Sequence, residues 1–176
     1  LNYLNWTPDI VHCHDWQAAL VPLYLRTSFK DTNVGRAGAV LTIHNLRFQG
    51  IYDRKTIQYW SDLPDYVFNK DCMTQNWLDA NMLKGGITYC NKLTTVSNTY
   101  AGEIQTEEYG EGLEEHLRYH SSKILGIVNG IDTDIWNPAR DKLLAAQYDS
   151  QSVIKNKKAN KKWIRNWAFT LSMFAG

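Results

Sequence analysis

Pro8-Asp9-Ile10-Val11-His12-Cys13-His14-Asp15-Trp16, answered further on by Leu41-Thr42-Ile43-His44-Asn45, decides how this chain is read. Each is a short apolar run ending in hydrogen-bonding residues, with the length and composition of a buried parallel strand. Open α/β sheets set their reactive side chains just past the carboxyl ends of the strands, where ligands settle. Two such ends, each with a His beside an acid or an amide, predict one wall of a binding crevice.

Working outward, 16–26 (WQAALVPLYLR) reads as an apolar helix, with Pro22 inside it predicting a kink or an early break. A loop leads to a second strand over 39–43. Residues 45–71, of mixed polarity with several aromatics, are long for a connector and read either as a functional loop or as one carrying short helices. Helical spacing runs through 76–89, interrupted by Gly85-Gly86. Residues 92–96 (KLTTV) form a β-branched strand, and Ser97 can cap a helix over 99–106. A helix from Gly110-Glu111-Gly112 to about Tyr119 and a strand over 123–128 follow, the latter ending in the turn pair Asn129-Gly130. Strand and helix alternate as in a Rossmann-like parallel α/β sheet with helices on both faces.

The bulk properties suit one domain. The 176 residues can bury a sizeable core but not two full ones. A net charge of +1 gives no global field towards nucleic acid, and 44% hydrophobic content argues against disorder. Cys13, Cys72 and Cys90 contain no CxxC pair and suit a reducing compartment. No run approaches the roughly 18 apolar residues of a membrane span, and neither membrane nor nucleic acid is an expected partner. No signal peptide opens the chain, so the sequon Asn5-Trp6-Thr7 is read as chance. Lacking an initiator Met and starting almost at once with a strand, the chain reads as a piece of something longer. From Lys155 a basic run (Lys155, Lys157, Lys158, Lys161, Lys162, Arg165) reads as a solvated helix face.

Among the polar residues, His14 and Asp15 can hydrogen-bond ligand hydroxyls. Alternatively Asp15 caps the helix that begins at Trp16 and His14 satisfies loop backbone. His12 is expected in the core. A zinc site from His12, Cys13 and His14 is not expected, because adjacent strand residues face opposite sides. His116 and His120 have the i,i+4 spacing of a metal pair but no third ligand, which favours an exposed helix face. Lys84-Gly85-Gly86 lacks the full phosphate-loop pattern, so its glycines read as small residues for close helix packing. Asn129-Gly130-Ile131-Asp132 is either a plain turn or a turn that leaves the Asn amide facing the crevice.

Together, 9–16 (DIVHCHDW), 42–50 (TIHNLRFQG) and 128–132 (VNGID) resemble bacterial glycogen synthases and plant starch synthases. So do 81–87 (NMLKGGI), 95–104 (TVSNTYAGEI), 109–113 (YGEGL) and 135–138 (IWNP), and the likeness runs from about Pro8 to about Lys162. The turn at 129–132 is shared by many GT-B glycosyltransferases; the His-Asp-Trp and Thr-Ile-His-Asn-Leu-x-x-Gln-Gly pair is more specific. The resemblance implies one half of a GT-B architecture and retaining transfer of glucose from ADP-glucose to the non-reducing end of an α-1,4-glucan. Neither a metal nor a cofactor is implied, ADP-glucose being a substrate. It assigns 1–150 to part of the N-terminal, acceptor-side domain, and leaves 151–176 as a basic helical linker with a divergent tail. His44 and Asp15 are implied as catalytic, the His44 carbonyl facing the anomeric centre and its ring a sugar hydroxyl, with Asp15 beside it. His14, Asn45, Asn129 and Gly130 are implied in substrate binding.

The departures carry weight too. The family's Lys-Thr-Gly-Gly loop and its C-terminal, donor-binding domain are missing, so this chain by itself is expected to be inactive and to face an absent partner domain. Gln17 stands where the family often has His or Ser, and 166–176 departs from the family's continuation, as a truncated or frame-shifted end would. Two other readings are a UDP-glucose-dependent, sucrose-synthase-like GT-B enzyme and a non-catalytic glucan-binding half-domain. In the second, Tyr3, Trp6, Trp60, Trp77 and Trp136 would stack on glucose rings, although such aromatics more often serve the core. The expected compartment is the cytoplasm in bacteria and the plastid in plants.

Overall fold

The computed structural model describes residues 6–174. Tyr3 and Asn5, singled out above, lie outside them. The chain divides into two compact units, 1–129 and 130–176. The sequence reading drew its line at 150, between the acceptor-side domain and the basic helical linker. Compactness follows packing, and the packing changes after the Asn129-Gly130 turn.

The first unit is built on a four-stranded sheet of order β1-β2-β5-β6, with β1 at Ile10–His14, β2 at Gly38–Ile43, β5 at Lys92–Thr95 and β6 at Ile124–Gly126. Every pairing is parallel, with His14 opposite Thr42, Thr42 opposite Thr94 and Thr94 opposite Leu125. Helix α1 (Leu20–Arg26) connects β1 to β2, α3 (Met82–Tyr89) precedes β5, and α4 (Asn98–Glu103) and α5 (Glu114–Tyr119) lead to β6. This is the expected Rossmann-like α/β class, a parallel sheet flanked by helices, although the helices of this unit pack on one face rather than on both as read. Because the strand order advances in one direction, right-handed crossovers bring successive helices to the same side. Cys13, Ala39, Leu41, Ile43 and Leu93 accordingly share one core with Leu25, Leu83, Ile87, Ile104 and Leu117. The opposite strand positions leave Ile10 62% and Leu125 55% exposed.

Between β2 and α3 the chain makes an excursion through β3 (Ile51–Asp53), α2 (Arg54–Ser61) and β4 (Asp79–Asn81), with β3 and β4 pairing antiparallel. The long connector thus carries short elements, as its composition suggested. The helical spacing of 76–89 is only partly realised, because 79–81 are drawn into that antiparallel pair and the helix starts at Met82, capped by the Asn81 side chain on Lys84 N (2.9 Å). Gly85 and Gly86 do not interrupt it. A Cβ on Gly86 would stand 2.8 Å from the Ala19 Cβ, and one on Gly85 2.7 Å from the Met73 Cγ, so these glycines set how closely α3 approaches its neighbours. Pro22 kinks nothing either: a 3-10 turn occupies Trp16–Ala18 and α1 begins only at Leu20, which puts Pro22 in the first turn, where its missing N–H has no helical partner to lose. Ser97 caps α4 as read, accepting from Tyr100 N at 2.9 Å.

The second unit consists of turns followed by α6 (Val153–Phe174), which carries the basic run and most of the divergent tail in one helix. Asn160, 8% exposed, pins it to the preceding segment by exchanging two hydrogen bonds with the Ala146 main chain (2.8 and 2.7 Å). Among the described residues, no helix is long and apolar enough to cross a membrane.

Candidate functional site

The carboxyl ends of β1 and β2 meet through side chains. The Asp15 amide extends the ladder to the Thr42 carbonyl (2.9 Å), and the Asp15 carboxylate then accepts the His44 amide at 2.8 Å. A carboxylate shared between two adjacent strand ends fixes how the chain leaves β2. To do so Asp15 adopts φ 52°, ψ −170°, in a region that L-residues rarely occupy. Strain of this kind costs about 1–3 kcal/mol, and a hydrogen bond to a charged group contributes about 1.5–3 kcal/mol. The two are of similar size and nearly offset. The helix-capping alternative fails: Asp15 makes no side-chain bond to the turn after it.

The His14 ring does not bond loop backbone either. Its Nδ1 lies 3.0 Å from Nε2 of His44. His12 overturns its expected place in the core. It shares the exposed face with His14, as strand periodicity requires of residues two apart, and Cys13 between them is the buried one. The His12 ring stacks on His14 (centroids 4.4 Å) and its Nε2 meets Thr42 Oγ1 at 2.7 Å. Desolvation, reinforced by His14 and His44, lowers the His12 pKa.

The rest of 42–50 is held from behind. Leu46, 1% exposed, donates its amide to the Tyr100 hydroxyl (3.0 Å). Gln49, 5% exposed, accepts from Asn81 Nδ2 (2.6 Å) and donates to the Glu111 carbonyl (2.9 Å), while its own carbonyl receives the Leu83 amide (3.0 Å). Gly50 sits at φ +64° against the Trp16 ring, where a Cβ would come within 2.5 Å of Cε3. The two motifs are therefore one object: Asp15 holds His44, His14 meets its ring, and Trp16 closes on Gly50. The sequence reading gave Gln49 no role, since nothing local distinguishes its amide from the other polar residues of 42–50.

The other sequence-predicted residues stand apart from this cluster. Asn45 is exposed and its side chain accepts the Arg47 amide (3.0 Å), shaping the turn. Asn129 is exposed, three residues beyond the end of β6, and Gly130 begins the second unit. Trp6, Trp60, Trp77 and Trp136 are all more than half exposed rather than core. His116 and His120 do not line an exposed face: His116 Nε2 meets Thr88 Oγ1 at 3.1 Å, and burial pushes the two imidazoles down to about 3 and about 4. Among the described residues no group of three or more His, Cys, Asp or Glu is arranged to hold a metal ion.

Comparison with known proteins identifies the family. The family model described as the starch synthase catalytic domain matches residues 1–119. Glycogen synthase of Thermotoga petrophila is 49% identical over 150 residues, 85% of this chain and 30% of that protein. Glycogen synthase of Lachnoclostridium phytofermentans is 44% identical over 163 residues, 92% of this chain and 34% of that protein. The catalytic domain of starch synthase IV from Arabidopsis thaliana, solved bound to ADP and acarbose, superposes with a TM-score of 0.74 at 38% identity, covering 92% of this chain and 33% of that one. The chain thus spans about a third of the length of these relatives. With the strand-end cluster and these matches together, the chain belongs to the starch synthase catalytic domain family of glycosyltransferases.

Proposed function

We propose that this chain supplies the acceptor-side wall of a glucan synthase site. There glucose passes from ADP-glucose to the non-reducing end of an α-1,4-glucan with retention of configuration. The observation that carries the proposal is the Asp15–His44 clamp. It fixes the main chain at His44, whose carbonyl becomes a preorganised dipole for an electron-poor anomeric centre. Sugar hydroxyls need paired donors and acceptors, and His44 with Asn45 and Asn129 provides them along the carboxyl ends of the sheet. The ADP and acarbose bound by the starch synthase IV domain, a nucleotide and an oligosaccharide, fit an adenine-nucleotide donor and a glucan acceptor. Nucleotide phosphates are to be neutralised by a partner domain, so the isolated chain is expected to give no turnover. The bacterial relatives favour a cytoplasmic setting.

The test is a chimera in which residues 1–150 replace the aligned segment of the Thermotoga petrophila glycogen synthase. Labelled ADP-glucose and glycogen should yield labelled glucan, and His44→Ala should lower kcat about 10²-fold or more. An active chimera indifferent to His44→Ala would remove the His44 ring from the chemistry, and full activity in Asp15→Ala, which releases the main-chain clamp, would remove the His44 carbonyl.

A further inference from the structure

Three imidazoles stand in sequence on the exposed face of the sheet, and their contacts divide the work of holding His44. Its main chain is clamped by Asp15, whose carboxylate accepts the His44 amide. The ring has a separate partner, Nδ1 of His14, 3.0 Å from Nε2 of His44. His14 in turn lies against His12 at 4.4 Å with 30° between the ring planes. His12 is anchored at Nε2 by Thr42 Oγ1 (2.7 Å), and that hydroxyl bonds Thr94 Oγ1 (2.6 Å), both threonines being 8% exposed. The chain Thr94–Thr42–His12–His14–His44 therefore runs from the buried middle of the sheet to the candidate catalytic residue.

We propose that His14 is the positioning residue for the His44 ring: His44 donates its Nε2–H to Nδ1 of His14 and keeps Nδ1 as an acceptor for a ligand hydroxyl. A hydrogen bond between two neutral imidazoles needs one protonated and one bare nitrogen. With the proton on His44, both rings are Nε2–H tautomers, the form that neutral imidazole side chains favour in water. The reverse bond would force both into the Nδ1–H form. A ring held in one tautomer by a neighbour presents one fixed hydrogen-bonding character to its ligand, as with the outer partners of metal-bound histidines. The importance of this for transfer rests on the reading of His44 given above; the pairing itself does not.

The experiment uses the whole chain with 15N-labelled histidine at neutral pH and no ligand, reading ring nitrogens by long-range 1H–15N correlation. His44 should show a protonated Nε2 and a bare Nδ1. His14→Phe keeps a ring against His12 but removes the acceptor, so His44 should change to the averaged pattern of two exchanging tautomers. His14→Asn restores a carbonyl acceptor and should restore the single tautomer. A wild-type His44 protonated on Nδ1, or an unaltered Nε2–H pattern in a His14→Phe variant that retains the native amide spectrum, would overturn the proposal. Should His14→Phe not fold, the wild-type pattern and the Asn variant still decide it. Because no sugar is present, failure here is distinct from failure of the glucan synthase reading, which the chimera tests.

Discussion

Gly50→Ala is the sharpest probe of the joint between the two motifs. Two costs add. At φ +64° an L-residue loses about 1–2 kcal/mol relative to glycine. The new Cβ would also lie 2.5, 2.9 and 3.3 Å from Cε3, Cδ2 and Cβ of Trp16, closer than carbon atoms tolerate, and overpacking of this kind costs about 1–3 kcal/mol. The sum is about 2–5 kcal/mol, or a fall in Tm of about 4–20 °C for a chain of this size. Gly112→Ala is the matched control: φ is +78°, but the nearest atom, Gln75 Nε2, is 3.8 Å away, so only the backbone cost of about 1–2 kcal/mol applies. Urea denaturation of both variants at a common m-value isolates the Trp16 contribution. Repeating Gly50→Ala in a Trp16→Ala background closes a double-mutant cycle with an expected coupling of about 1–3 kcal/mol. Equal losses for Gly50→Ala and Gly112→Ala, or a coupling of zero, would refute the reasoning.

At Asp15 the strain and the clamp separate by substitution. Asp15→Ala loses the bond and keeps the strain, whereas Asp15→Gly loses both, so Gly should be the more stable variant by about 1–2 kcal/mol. Both should speed hydrogen exchange at the His44 amide, and retained protection there in Asp15→Gly would count against the clamp. The His116–His120 pair predicts acid sensitivity. Both folded values, about 3 and about 4, lie beneath the ordinary histidine value, so between them the unfolded chain binds more protons and folding stability falls as pH drops from about 6.5 towards 3. Urea midpoints at about pH 7 and about pH 5 should differ, and less so in His116→Gln. Identical midpoints for the wild type would show that these imidazoles are not desolvated.

The sequence was most legible where a pattern is local. Apolar β-branched runs placed β1, β2 and β5, because burial on a parallel sheet leaves little choice of residue, and Ser97 marked a helix start because a hydroxyl there satisfies orphan amides. Pro22 misled because its effect depends on how many residues precede it in the helix, and the 3-10 turn that delays α1 has no strong signal of its own. His12 was misplaced by treating three alternating residues as a series, when period two sends 12 and 14 to one face and 13 to the other. His116 and His120 looked like a polar helix face, and only the packing around Thr88 shows them desolvated.

The residues by themselves determined the class of fold and the two strand ends, since composition and periodicity are properties of the linear chain, and their motifs carried the resemblance to the family. Which acid holds which histidine was decided by the tertiary structure alone. Asp15 and His44 are 29 positions apart, and only the parallel register of β1 on β2 places the carboxylate 2.8 Å from that amide rather than on the helix beside it.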